Sequence, residues 1–298
     1  MRFSAQVENL KILEEALHSG CDDVRFGSEF CEWKMPNLHV LRKAYNLTND
    51  SGKGFSYITP RVTDTGIKKI REHLGFLKEK GEIKVIINDL GVLNVLRRYT
   101  RLKPHLGRQL VYTPARCPWP GIDRKIAVIS PLSVLAWKLI RKQAEDLYSQ
   151  TSLNYDRTIK FFQEYGIQGV DVDWISRCFE HYSFLIKNGL NLSVHLHLVP
   201  VTITRKCHTA RFLGETNLEN CSKPCYRRAF LLKPSELGIE LLLSGNVVFR
   251  FTNPSKSDVK KLAQNIAEFV ISMNSASRIQ NSKEVDKLIL DLKNGKSY

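Results

Sequence analysis

The chain has 298 residues, 43% of them hydrophobic, and a formal net charge of +15. This is long enough for one large α/β barrel or two smaller domains, and the apolar fraction is ample for a core. No run approaches the roughly 18 apolar residues of a membrane span. The N-terminus MRFSAQVENLKILEEAL carries acidic residues where a signal peptide would be apolar. We therefore expect a cytoplasmic protein without a membrane span.

The positive charge is unevenly distributed. Residues 51–150 hold 19 Lys/Arg against 8 Asp/Glu, which is +11 of the total. Such a surplus allows an anionic partner such as RNA, although a solvated surface also explains it and no aromatic RNA-binding strand motif occurs.

Short β-like runs alternate with helical patterns from the N-terminus. The first four strand–helix units contain the strands RFSAQ, DDVRFG, FSYITP and IKVIIND. The predicted fifth to eighth strands are GRQLVY, IQGVDVDW, NLSVHLHLVPV and ELLLSGNVVFRF, the last preceding a predicted helix SDVKKLAQNIAEFVISM. About eight such units predict a parallel TIM-like (β/α)8 barrel, irregular or incomplete in its last strands. A doubly wound open sheet is the alternative, but no glycine-rich fingerprint follows the first strand.

We predict one barrel domain over residues 1–275 and a C-terminal tail or helix over 276–298. Residues 112–153 interrupt the alternation. They form a basic, proline-containing insertion after the predicted fifth strand and end in a predicted helix, LSVLAWKLIRKQAEDLYS.

Five of the seven cysteines follow predicted strands. In a barrel, the loops after the strands share one face, where catalytic and binding groups collect. We therefore expect five thiols to converge there: Cys31, Cys117, Cys207, Cys221 and Cys225. Cys21 and Cys178 are predicted to be structural. In a reducing compartment, a close cysteine cluster indicates metal binding or catalysis before disulfides.

The spacing Cys207-x13-Cys221-x3-Cys225 is moderately specific. Three unrelated buried thiols are one explanation, because cysteine also serves as a small hydrophobe. With a fourth ligand, the three could hold zinc or an iron–sulfur cluster. Structural zinc usually shows two close cysteine pairs, and this loop has one. The wide spacing and the flanking Arg and Lys residues favour a cluster.

The cysteine loop resembles that of the collagenase-like peptidase family (unclassified peptidase family number 32). The matching residues are Cys207, Asn217, Cys221 and Cys225, followed by Tyr226-Arg227. Further similar stretches are VRFGSEF, FSYITP and IKVIINDLGVLNVL, so the resemblance extends from residue 2 to about residue 250.

Two features are similar to the UbiV-type branch of this family. The position seven residues before the first loop cysteine is Pro200 rather than cysteine, and RFGSEFC ends in Cys31 after the second strand. This resemblance implies a [4Fe–4S] cluster on Cys31, Cys207, Cys221 and Cys225, with Cys117 as the rival fourth ligand. It also implies oxygen-independent hydroxylation of an aromatic acceptor such as a ubiquinone precursor, in a heteromeric complex with a second family member.

Other polar residues are weaker candidates for catalysis. His195 and His197 alternate on the predicted seventh strand and should share one side. Asp171 and Asp173 end the sixth strand, where they could divide acid and base roles, pair with arginine or cap the next helix. Arg61 is a candidate anion contact. Asn88 and Asp89 are explained by a turn and helix cap.

Peptidase activity is disfavoured by the same comparison. The family usually has a glutamate before a Leu-Ser pair, and Trp174 stands there in this chain. The sequence also lacks a zinc-protease motif and a nucleophile elbow. The favoured prediction is an iron–sulfur hydroxylase subunit; an RNA-modifying enzyme that hydroxylates a nucleobase, a peptidase and an inactive cluster-bearing scaffold are the alternatives.

Overall fold

The computed structural model describes residues 1–117, 143, 146–215, 217–235, 238–252 and 266–294. The strands are β1 Phe3–Val7, β2 Asp23–Gly27, β3 Gly54–Ile58, β4 Ile83–Ile87, β5 Leu102–Leu106, β6 Gly169–Asp173, β7 Asn191–His195, β8 Leu198–Ile203, β9 Phe230–Leu232, β10 Leu241–Ser244, β11 Val247–Phe251 and β12 Glu268–Ser272. The helices are α1 Leu10–Leu17, α2 Leu38–Asp50, α3 Asp64–Leu77, α4 Leu90–Leu96, α5 Asp156–Glu164, α6 Phe179–Lys187, α7 His208–Phe212 and α8 Ser282–Lys293.

Eight parallel strands form a closed barrel in the order β1-β12-β7-β6-β5-β4-β3-β2. Closure depends on β1, which pairs with β12 on one side and β2 on the other; Phe3 is opposite Phe269, and Val7 is opposite Phe26. Helices between the strands pack apolar residues such as Leu13, Leu41 and Ile70 against the barrel. The predicted (β/α)8 fold is confirmed.

Two of the predicted barrel strands are wrong. The fifth strand is LKPHL, Leu102–Leu106, rather than GRQLVY. It contains Pro104, and a proline in a sequence argues against a central strand. The eighth is Glu268–Ser272, in a segment predicted to be helical. Its five residues are all buried, so they do not show the alternation of a half-buried strand.

A second sheet stands beside the barrel, with strand order β8-β11-β10-β9. Its antiparallel hairpin β10–β11 is the stretch that the sequence suggested as the eighth barrel strand. Gly245, at φ +64°, and Asn246 make the tight turn between these strands, a turn type that favours Gly and Asn. The predicted seventh strand also divides: β7 stays in the barrel, and β8 pairs with β11.

The C-terminal helix α8 begins with a capping box formed by Asn281 and Glu284. It packs beside α1, where Asp286 accepts from the Gly20 amide and Glu15 accepts from the Ser282 amide. The helix predicted at the end of the insertion lies largely outside the described residues. In the described parts of the chain, no helix has the length and apolar character needed to cross a bilayer.

Candidate functional site

The loop after β2 carries Cys31 over the C-terminal end of the barrel. Gly27 ends the strand at φ +133°, and a Cβ there would lie 2.3 Å from the Ile58 carbonyl oxygen, so only glycine fits. The Cys31 amide donates to Ser28 Oγ at 3.3 Å, and Cys31 then precedes a short 3-10 helix, Glu32–Lys34. These backbone constraints fix the position of the Cys31 thiol at the C-terminal end of the barrel.

The other three thiols lie on segments that connect the strands of the second sheet. Cys207 begins α7, and its sulfur accepts from the Ala210 amide at 3.4 Å. Cys221 Sγ accepts from the Lys223 amide at 3.4 Å. Cys225 is buried in a 3-10 turn, and a Cβ added at Gly245 would lie 3.7 Å from its sulfur. The β10–β11 turn therefore lies directly beside this thiol.

These four cysteines interact with one another across a long stretch of sequence. Cys31 interacts electrostatically with Cys225, Cys225 with Cys207, and Cys207 with Cys221. Cys31 and Cys207 also line one cavity of about 190 Å³, together with Arg61, Arg205 and other residues. The structure therefore brings the thiol from the second strand to the distant cysteine loop.

Burial controls the protonation of these thiols. It raises the pKa of Cys31 to about 11, although the Lys34 ammonium opposes this shift. Burial likewise raises the pKa values of Cys225 and Cys221. Among the described residues, no group of three or more His, Cys, Asp or Glu side chains is arranged to hold a metal ion. The thiols are neighbours, but they do not enclose a site for one ion.

The remaining cysteines lie in different surroundings. Cys117 follows the 3-10 turn Pro114–Arg116 and interacts electrostatically with Arg250, whose guanidinium donates to the Arg116 and Ala115 carbonyls. Cys21 and Cys178 are buried. Cys21 precedes β2 at the opposite end of the barrel, and Cys178 lies just before α6.

A buried ion-pair network, which we call the upper network, lies at the C-terminal end of the barrel. Its centre is Arg108, which donates to both Glu29 oxygens at 2.8 and 2.7 Å, to Asp173 at 2.9 Å and to the Leu198 carbonyl. Arg116 contacts the second Asp173 oxygen at 2.5 Å. Burial acts to raise the pKa of Asp173, but Arg116 and Arg108 outweigh it and lower the pKa. Asp173 is therefore a fixed anion paired with arginine and does not cap a helix.

A second buried network, the lower network, lies deeper in the barrel around Asp171. Arg25 Nη1 lies 2.9 Å from both Asp171 oxygens, and the Nε2 atoms of His105 and His195 lie 2.9 Å from one oxygen each. Arg25 also pairs with Glu268, which accepts from Lys84, Ser4 and Ser193 as well. Arg25 and the histidines hold the pKa of Asp171 well below its usual range against the effect of burial. Both histidines thus hydrogen-bond the same buried carboxylate.

The remaining predicted residues are placed as follows. His197 is not on the strand with His195: it lies between β7 and β8 at φ +67°, because the chain turns there into the second sheet. Arg61 lines the cavity beside Cys31 and Cys207 and donates to the Gln109 carbonyl at 3.1 Å. Asp89 caps α4 by accepting from the Gly91 amide at 2.7 Å, and Asn88 donates to the Thr59 carbonyl.

Several important polar residues were missed in the sequence. Arg25, Glu29 and Arg108 are fully or almost fully buried, yet they lie in segments that were interpreted as strand or loop. A charged residue inside an otherwise apolar strand, as in DVRFG, was the available signal for Arg25. Glu268 carried no such signal, because its segment was predicted to be helical.

Comparisons with known proteins give only distant likenesses. The sequence matches no protein-family model, and no curated protein matches it either. Among solved structures, the U32 peptidase Mk0906 has 13% identity and a TM-score of 0.46, covering 91% of this chain and 92% of its own. Orotidine 5'-monophosphate decarboxylase from Methanocaldococcus jannaschii has 12% identity and a TM-score of 0.41, covering 98% of both chains. Dihydropteroate synthase from Xanthomonas albilineans has 12% identity and a TM-score of 0.39, covering 98% of this chain and 92% of its own. These low scores assign neither a family nor a function.

Proposed function

We propose that this chain is an iron–sulfur protein that holds a [4Fe–4S] cluster on Cys31, Cys207, Cys221 and Cys225. Following the resemblance of its cysteine loop to the UbiV-type branch of the collagenase-like peptidase family, it acts in oxygen-independent hydroxylation of an aromatic acceptor. It works as a subunit with a second family member. When bound, the cluster supplies one-electron chemistry or a Lewis-acidic iron.

The observation that carries this proposal is the approach of Cys31 to the distant cysteine loop. Cys31 interacts with Cys225 and shares a cavity of about 190 Å³ with Cys207. A thiol that served only as a small hydrophobe would have no need of other thiols near it.

The donor set fits a cluster better than a single ion. Thiolates are the ligands that iron–sulfur clusters take, and a four-iron cluster separates its ligands more widely than one tetrahedral zinc does. The thiols of this site interact with one another but do not enclose a single-ion site, which favours a cluster over one zinc ion. Lys34 and Arg205 bring positive charge to the anionic cluster.

The ligand set is tested by anaerobic purification with iron and sulfide assays and an absorption spectrum. The five cysteines at positions 31, 117, 207, 221 and 225 are each changed to alanine. We expect a large loss of iron and brown colour at positions 31, 207, 221 and 225, and little loss for Cys117→Ala. Cys178→Ala is the matched control, because this thiol is also buried but precedes α6.

Two outcomes would overturn the proposal. Loss of colour with Cys117→Ala but not with Cys31→Ala would show that Cys117, rather than Cys31, is the fourth ligand. A colourless wild-type protein carrying one zinc per chain would exclude the cluster. Copurification under anaerobic conditions identifies the partner subunit.

RNA is the alternative acceptor, favoured by the surplus of 11 positive charges in residues 51–150. Binding to RNA should weaken steeply as salt rises, because each phosphate contact releases counterions. Affinity that does not change with salt would exclude RNA. Peptidase activity has less support, because the sequence lacks a zinc-protease motif and a nucleophile elbow.

A further inference from the structure

A buried lysine lies beside the cysteines and was not among the residues suggested by the sequence. Lys34 ends the 3-10 turn that follows Cys31, and its side chain is only 10% exposed. Its ammonium contacts Glu8 at 2.6 Å and lies 4.9 Å from the centre of the Tyr226 ring. It also lines a small cavity together with Cys31 and Glu8, and it interacts electrostatically with Cys225.

The surroundings keep this lysine charged. The Glu8 carboxylate is its ion-pair partner, and both side chains are largely buried. Glu8 follows β1, Lys34 follows β2, and Cys225 belongs to the distant loop. One ammonium therefore joins the segments that follow two barrel strands and interacts with a cysteine of the distant loop.

Stability alone is a weak reason for this arrangement. Replacing a buried ion pair by apolar residues of similar volume is often neutral or stabilising. A buried cation is better explained where a further negative charge arrives. A cluster held by four thiolates is such an anion, and its net charge and the hydrogen bonds to its sulfurs set its reduction potential.

We propose that Lys34 is a positioning residue that raises the reduction potential of the cluster, with Glu8 as the opposing charge. This inference rests on the proposed function. Reduction adds one electron from the external reductant to the oxidised cluster and transfers no group. The reduced cluster has one more negative charge, so a neighbouring cation stabilises it more than the oxidised form.

The test is an anaerobic redox titration followed by the absorption and electron paramagnetic resonance spectra of the cluster. Lys34→Met should disfavour reduction about tenfold, a shift of about 59 mV to lower potential for one electron. Lys34→Arg keeps the charge and should shift the potential much less. Glu8→Gln should shift it upward, which a merely structural role would not predict.

Lys103→Met is the matched control for a change of net charge. Lys103 pairs with Glu82 at 3.0 Å and lines the cavity at the N-terminal end of the barrel, away from the cysteines. Its variant should leave the potential unchanged. An equal shift in this control would show that Lys34 acts only through the total charge, and would overturn the inference.

The remaining outcomes separate this inference from the function on which it rests. A wild-type protein without iron overturns both. Iron-loaded Lys34→Met with the wild-type potential, or Lys34→Met and Glu8→Gln shifting the potential in the same direction, overturns only the role of Lys34. If Lys34→Met does not retain iron, Lys34→Gln and Glu8→Gln are compared instead. Loss of iron in all of these variants would make Lys34 a structural tether and also refute the inference.

Discussion

The lower network inside the barrel and the cysteine site at its C-terminal end both bury ionisable groups, but they satisfy them differently. Asp171 and Glu268 are surrounded by Arg25, Lys84 and two histidines, so the protein itself neutralises them. The thiols of the cysteine site have raised pKa values, and one ammonium, Lys34, lies among them. The lower network is neutralised without a ligand. The cysteine site, by contrast, gains stability when a cation or cluster replaces the thiol protons.

The largest effect should come from breaking the lower network. Asp171→Asn leaves Arg25 buried without its main counterion, which typically costs about 3–5 kcal/mol. Asp23→Asn is the control, because its partner Arg2 is 60% exposed and such pairs contribute about 1 kcal/mol or less. Urea unfolding of both variants measures the difference.

The iron content of these variants tests whether the lower network and the cysteine site are independent. If the two regions are independent, folded Asp171→Asn should keep its iron while losing stability, and Cys31→Ala should do the reverse. An Asp171→Asn variant no less stable than Asp23→Asn would show that the lower network is not the stabilising region. Iron loss in folded Asp171→Asn would show that the two regions are coupled.

The sequence was sufficient for the barrel because most strands alternate with helices in chain order. It was insufficient where tertiary contacts override local pattern. The β10–β11 hairpin has strand propensity like any barrel strand, and only its pairing with β8 separates it from the barrel. The five buried residues of β12 carry no period that distinguishes a strand from a buried helix segment.

The cysteine site was partly predictable for a related reason. Strand order places the ends of β2 and β7 on one face, so the meeting of Cys31 with the loop after β8 followed from the fold class. The ion pairs could not be predicted from the fold class. Arg108 lies just after β5, in the stretch GRQLVY that was taken for a strand, and the partner of Asp173 could not be chosen among many arginines.

A buried histidine should lose its contribution to stability at a less acidic pH than the carboxylates of the lower network do. His73 on α3 is fully buried, and its Nδ1 lies 2.6 Å from the Tyr57 hydroxyl. Burial, with a smaller effect of Lys69, lowers its pKa to about 4. The unfolded chain, with a histidine pKa of about 6.5, therefore binds a proton that the folded chain excludes.

The sign follows from this difference in proton binding. The contribution of neutral His73 is fully present above about pH 6.5 and is lost as pH falls toward 4, by at most about 3 kcal/mol. His73→Gln should flatten that part of the pH dependence, while His39→Gln, at an exposed position on α2, should not. Urea unfolding at pH 7 and pH 4.5 measures how much the free energy of unfolding changes between the two pH values. An equal change in wild type and His73→Gln would contradict the prediction. Asp171, whose pKa is lowered, should lose its contribution only at more acidic pH.

The smallest expected effect concerns iron removal, and it tests whether the cysteine site depends on a ligand. In the loop, the cysteines are held by local contacts, among them the Ala210 and Lys223 amides, which donate to sulfur atoms at 3.4 Å. Strand β3, by contrast, is paired on both sides within the barrel. Chelation under anaerobic conditions should therefore speed amide hydrogen exchange in residues 205–228 about tenfold, with residues 54–58 unchanged. Exchange that changes equally in both segments would mean that the ligand stabilises the whole barrel. No change in either would mean that the thiols hold the loop without iron, as the carboxylates of the lower network are held without a ligand.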